Sequence, residues 1–114
     1  MKTSNLKIGT HTIQTLIAET AEEQMNGLMF KKWKPPVMSF VYSFPKENVF
    51  WMKNTPSPLD IVFCCDSKII DLKKGIPFST SLIKSNKLSD LVVELPSGMF
   101  SELNLKIGDY IKII

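Results

Sequence analysis

The chain contains no arginine; all 14 of its cationic side chains are lysines. The planar guanidinium fork is therefore absent, which excludes bidentate recognition of a phosphate, a carboxylate or a guanine edge. There is one histidine, His11. No serine or cysteine is placed beside it by the sequence, so neither a His-based triad nor a multi-His metal site has support. The only cysteines, Cys64 and Cys65, are adjacent. On a strand they point to opposite faces, and bridging them needs a strained turn, so no disulfide framework is available. Two reduced, mostly buried thiols are expected instead. Neither G-x-G-x-x-G nor G-x-x-x-x-G-K-[ST] occurs, which removes the common nucleotide cradles. No apolar run approaches the ~20 residues of a membrane helix. The first eight residues lack an apolar stretch of signal-peptide length, so a cytoplasmic location is the expectation.

What remains is the composition of a soluble globular chain, with 44% hydrophobic and 22% charged residues. The net charge of +3 is mild, and nucleic-acid binders concentrate basic charge far more strongly. Lys, Ile, Asn and Ser stand where GC-richer genomes encode Arg and Ala, suggesting an AT-rich bacterial or phage origin. No repeat or linker divides the 114 residues, which form one domain, 1–114.

Residues 12–18 read as a strand. Thr20-Ala21-Glu22-Glu23 has the form of a capping box. Ala21, Met25, Leu28 and Met29 follow at helical spacing, predicting an amphipathic helix of about three turns. Strands are expected over 37–44, 49–54, 59–65, 69–72, 91–95 and 110–114, with a short helix over 98–103. Residues 73–90, rich in Ser and Lys, give no clear pattern. The fold class is α+β and mainly β: about seven short strands with two short helices, in a barrel-like or half-barrel sheet that hides strand edges.

The run Phe50-Trp51-Met52-Lys53-Asn54-Thr55, followed by Leu59-Asp60-Ile61-Val62-Phe63, places an aromatic, a cation, an amide and a carboxylate among apolar residues. If the two strands pair antiparallel around Pro56-Ser57, Lys53 sits opposite Asp60, Trp51 opposite Val62 and Val49 opposite Cys64. One face, with Phe50, Met52, Leu59, Ile61 and Phe63, is then core. The other mixes Trp51, Lys53, Asp60 and Asp66, a combination that lines grooves. A plain cross-strand ion pair between Lys53 and Asp60, covered by Trp51, is the bland alternative.

Three blocks carry a resemblance. Ala18, Thr20, Glu22, Glu23, Gly27, Leu28, Met29 and Phe30 fit A-x-T-x-E-E-x-x-x-G-L-M-F. Residues 50–55 and 58–63 fit F-W-M-K-N-T and P-L-D-I-x-F. Glu94, Leu95, Pro96 and Gly98, then Gly108 and Asp109, fit E-L-P-x-G and a G-D turn. In these blocks the chain resembles the family catalogued as domain of unknown function 192. The resemblance implies a small, mainly β fold with two short helices and no known reaction. Many members look exported, so it implies no compartment. Here Pro35-Pro36-Val37 replaces an acidic-glycine approach, and Lys31 stands where Arg is common.

These residues favour a small-ligand module, for a carbohydrate or other polyhydroxyl metabolite, using Trp51 as a stacking surface and Lys53, Asn54 and Asp60 as polar contacts. An interaction module using the cluster Lys31, Lys32, Trp33 and Lys34, or a strand edge, is the alternative. An enzyme with Asp60 as acid or base comes third, since a paired Lys53 would lower the carboxyl pKa. Asp60, Asp66 and Asp71 lack metal-loop spacing, so no metal or cofactor is expected.

Overall fold

The computed structural model describes residues 1–114. In chain order the elements are β1 (Lys2–Ile8), β2 (His11–Ala18), α1 (Ala21–Asn26), β3 (Met38–Lys46), β4 (Val49–Phe50), β5 (Leu59–Cys65), β6 (Lys68–Gly75), β7 (Ile83–Lys84), β8 (Ser89–Pro96), α2 (Met99–Glu102) and β9 (Ile111–Ile113). The expected fold class holds: seven strands form one sheet in the order β6-β5-β8-β3-β2-β1-β9, and β4 and β7 form a separate ribbon. All sheet pairings are antiparallel except that of β2 with β3.

The sheet curls until its two ends meet. Lys68, at the start of β6, bridges to Tyr110, just ahead of β9. The Ile69 and Gly108 amides extend this contact by donating to Asp109 O and Ile69 O at 2.9 and 2.7 Å. The edges are thereby partly closed, as the sequence led us to expect of an otherwise edge-exposed β fold.

Because side chains alternate along each strand, the curl yields two cores. Inside lie Leu6, Ile8, Val62, Cys64, Ile69, Val93, Leu95 and Ile111, drawn from both ends of the sheet. On the opposite face of the central strands lie Ala18, Met38, Phe40, Leu59, Ile61, Phe63 and Val92, covered by Leu28 and Met52. Strand β5 is consequently buried on both faces along all but its last residue.

The hairpin expected between residues 49–54 and 59–65 does not form. Strand β4 ends at Phe50 and pairs with β7, while β5 lies between β6 and β8. Lys53 is thus not opposite Asp60; Lys74 is. After Phe50 the chain leaves any ladder because Met52 turns wholly into the outer core. Its sulfur fills the space above Gly75, where a Cβ would lie only 2.6 Å from it. Asn54 then adopts a left-handed φ of 56°, and its carbonyl accepts from the Phe30 amide at 2.7 Å.

The capping box forms as expected: Thr20 Oγ1 accepts from the Glu23 amide, and Glu23 Oε1 accepts from the Thr20 amide, at 3.1 and 3.0 Å. The same carboxylate accepts from the Glu19 amide at 2.9 Å, and these backbone bonds hold its pKa below the usual value. The helix is shorter than expected. Gly27, at φ 48° and ψ −128°, ends it after six residues. That backbone belongs to glycine. Met25 is therefore exposed, and only Leu28 of the spaced apolar set is buried. The sequence also failed to reveal β1, and the patternless segment holds β7 and the start of β8.

Candidate functional site

Between α1 with the turn that follows it, the outer ends of β3 and β4, and the centre of β8 lies a cleft of about 490 Å³. Phe40, Tyr42, Phe50 and Trp51 supply aromatic surface, Met25 and Met29 flexible apolar surface, and Gln24, Asn26, Asn48 and Thr55 polar groups. Glu94 reaches it from β8.

Glu94 occupies an unusual position. In register it sits between Ile61 of β5 and Met38 of β3, on the face that carries Phe40, Val92 and the rest of the outer core. It is 4% exposed. No side chain or backbone group donates to it, yet no fully buried side-chain oxygen in the protein lacks a partner. The carboxyl oxygens are therefore not sealed, and they open onto the cleft. Burial without a compensating charge or donor pushes the Glu94 pKa up to about 8, so the carboxyl is mostly protonated at neutral pH. Burial first, and then the Glu94 charge, pushes the Tyr42 phenol upward as well.

The surrounding chain packs closely around this carboxyl. A Cβ on Gly27 would meet Glu94 Oε1 at 3.7 Å and the Phe40 ring at 3.5 Å, so the helix terminus lies directly against the carboxyl. The edge-on stack of Phe50 against Phe40 and Phe63, with centroids 5.1 and 5.9 Å apart, forms the apolar floor. Asn48 is buried and donates to Ser89 O and Oγ at 2.9 and 2.7 Å, fixing the β3–β4 turn. Ser57 Oγ donates to Lys31 O at 2.7 Å and Thr55 Oγ1 to Lys53 O at 3.1 Å, locking the loop below Trp51.

Of the four residues expected to bind a ligand, only Trp51 lines this cleft. It is 41% exposed, and the Lys53 ammonium lies 5.1 Å from the centre of its ring. Asn54 is exposed at its turn. Asp60 is fully buried elsewhere: one oxygen accepts from Lys74 Nζ, the other from the Gly98 and Phe100 amides, both at 3.0 Å. It caps α2 and ties β5 to β6 and to the turn after β8. The expected indole, ammonium and carboxylate trio is therefore not assembled. Lys31, Lys32, Trp33 and Lys34 are exposed and lie outside the cleft.

Three further features resolve as structure. His11 Nε2 bonds Leu103 O at 3.0 Å beside a second recess near the β1–β2 turn. Asp60 and Asp71 accept from different donors, the Asp66 amide donates to Asp90 Oδ2, and no three His, Cys, Asp or Glu side chains are grouped to hold a metal. Cys64 is buried and burial raises its thiol pKa, as burial also does for Cys65. Sequence reasoning missed Glu94 as a site residue. The signal was present: one acid in the apolar run Leu91-Val92-Val93-Glu94-Leu95.

Among proteins with curated functions, none matches this chain. Two solved structures share its fold. A Sinorhizobium meliloti protein described as a "putative transcription regulator" is 26% identical, with a TM-score of 0.91, over 98% of this chain and 94% of that one. A Novosphingobium aromaticivorans protein of unknown function is 28% identical, with a TM-score of 0.86, over 95% of this chain and 83% of that one. The profile of the DUF192 family, described as an uncharacterized ACR, matches residues 4–113. With that match spanning nearly the whole sequence, the chain belongs to the DUF192 family.

Proposed function

We propose that this protein binds a small organic ligand in the cleft, with Glu94 as its polar anchor and Trp51 and Tyr42 as its walls. The observation that carries the reading is the buried Glu94 carboxyl, which opens on the cleft without a partner. Burying a carboxyl costs stability, and a structural role would supply it with donors, as Asp60 shows in this same molecule. An unpartnered one beside aromatic walls in a recess of ligand size supports binding. The reading keeps the small-ligand function expected from the sequence and the use of Trp51, and moves the polar contact from Lys53, Asn54 and Asp60 to Glu94. Thermal-shift screening with a library of amines, polyols and carboxylates tests it. Compounds should stabilise the wild type and lose that effect in Trp51→Ala and Glu94→Gln. No compound acting on the wild type, or equal action on all three proteins, would refute it.

A second reading is an enzyme that uses Glu94, not Asp60, as acid or base. A carboxyl holding its proton to about pH 8 suits a general acid near neutrality. Turnover of pooled glycosides and esters that disappears in Glu94→Gln would support it. The regulator description of the Sinorhizobium protein suits a ligand-responsive role. Direct major-groove reading has little support, since α1 spans six residues, α2 spans four, and arginine is absent.

A further inference from the structure

We propose that the ligand of this cleft is a small organic ammonium, held by the Glu94 carboxylate as counter-ion and by the π faces of Trp51 and Tyr42. This inference rests on the cleft being a ligand site and names the chemical class that the site selects.

Three observations converge on a cation. The first is the pair of rings. Lys53 Nζ lies 5.1 Å from the Trp51 ring centre, and Lys46 Nζ lies 5.1 Å from that of Tyr42. Two of the four aromatic rings that line the cleft thus already accept an ammonium of the chain itself, the electrostatic match expected of a negative π face. The second is the balance of donors and acceptors. Gln24 uses its amide NH2 on Ala18 O and Val41 O, and Asn48 uses its own on Lys46 O, Ser89 O and Ser89 Oγ. What each of these two amides retains is a carbonyl oxygen, so neither offers a free donor to an anionic ligand. The third is the charge. Glu47 at the rim pairs with Lys84 at 4.0 Å, which leaves Glu94 as the lining carboxyl without a counter-charge, and no guanidinium is present to receive an anion. Phosphates and carboxylates are disfavoured, and a ligand bringing its own N–H or N-methyl charge completes the set.

The protonation state makes the inference sharp. The ionisable groups that line the cleft with Glu94 can be named element by element: from β3 the Tyr42 phenol and Lys46, and from the following turn Glu47, none of them offsetting its burial. The two acids of α1, Glu22 and Glu23, lie outside the lining, and β5 presents Ile61. The buried carboxyl keeps its proton up to about pH 8, so an entering ammonium releases that proton. Affinity must then rise with pH across the neutral range and level off above about pH 8.

Choline and its uncharged carbon isostere, 3,3-dimethyl-1-butanol, form the test pair. They would be titrated into the full chain at about pH 6 and 8.5 while the Trp51 indole N–H is followed by NMR. Choline should bind at least about tenfold more tightly than the isostere at the higher pH, and less tightly at the lower pH. Glu94→Gln should abolish the preference. Trp51→Ala, a change at a half-exposed ring that leaves the core intact, should weaken choline by a similar factor, read by titration calorimetry because this variant lacks the indole reporter. Equal binding of both compounds would overturn the ammonium inference and leave the ligand site standing. Neutral library compounds stabilising the protein while choline leaves Trp51 unmoved would do the same. Failure of the whole library would remove the site reading itself.

Discussion

Glu94→Gln exchanges a carboxyl for an amide of nearly equal volume, and its consequence for stability can be worked from the cleft. Folding raises the carboxyl pKa from its ordinary value of 4.5 to about 8. Between those limits the folded chain keeps a proton that the unfolded chain has lost. The sign follows: the contribution of Glu94 is complete below pH 4.5 and drains away as pH rises through about 8. At about 1.36 kcal/mol for each pKa step, the loss is about 5 kcal/mol across the interval, and about 3 kcal/mol of it has occurred by pH 7. The amide has no such loss. Urea unfolding of both proteins at several pH values from about 4.5 to 9 therefore gives two diverging curves. The variant should be close to the wild type in acid and more stable by several kcal/mol in mild alkali. Other titrating groups occur in both proteins and cancel in the difference. Parallel curves would refute the reasoning, because they would mean that Glu94 ionises as freely as a carboxyl in water.

Other consequences concern the frame around the cleft. Asp60→Ala removes the acceptor for the Gly98 and Phe100 amides and the partner of Lys74, and should cost about 3 kcal/mol in urea unfolding; a loss under about 1 kcal/mol would contradict its role as a clamp. Gly75→Ala drives a Cβ to 2.6 Å from Met52 Sδ and should destabilise by about 1–3 kcal/mol. Combined with Met52→Ala the penalty should fall well below the sum of the two single changes, and strict additivity would show that the clash is not the cause. Thr20→Ala removes the cap of α1 and should cost about 1 kcal/mol, read from the same unfolding curves.

What the sequence disclosed was what local chemistry decides. The capping box at Thr20 and Glu23 involves atoms three residues apart, and strand β5 has the expected bounds at Leu59 and Cys65. What it hid depends on distant partners. Residues 50–54 alternate like a strand, yet Met52 is drawn out of any ladder by the space that Gly75 leaves 23 positions later. The helix shortens because Gly27 turns toward Phe40 and Glu94 on β3 and β8. The three sequence blocks nonetheless marked the cleft. Gly27, Leu28 and Met29 come from the first, Phe50, Trp51 and Thr55 from the second, and Glu94 from the third.

Asp60 and Glu94 show why the site residue itself was ambiguous in the sequence. Each is a lone acid in an apolar run, and the two stand on neighbouring strands, opposite Leu95 and Ile61 respectively. Alternation sends Asp60 to the side of α2 and Glu94 to the side of α1. The partners that satisfy Asp60 lie 14, 38 and 40 residues away in the chain, at Lys74, Gly98 and Phe100. The corresponding place beside Glu94 is filled by the backbone of Gly27, whose own amide donates to Glu23 O at 3.0 Å and leaves nothing for the carboxyl. Two acids with the same sequence signal thus divide into a clamp and an open group by the availability of a donor across the fold. A buried carboxyl with three donors resists change and stabilises the frame; one with none is poised to exchange its proton for whatever enters the cleft. Changes at Glu94 should therefore abolish binding without any loss of stability, whereas changes at Asp60 should lower stability first and binding only through it.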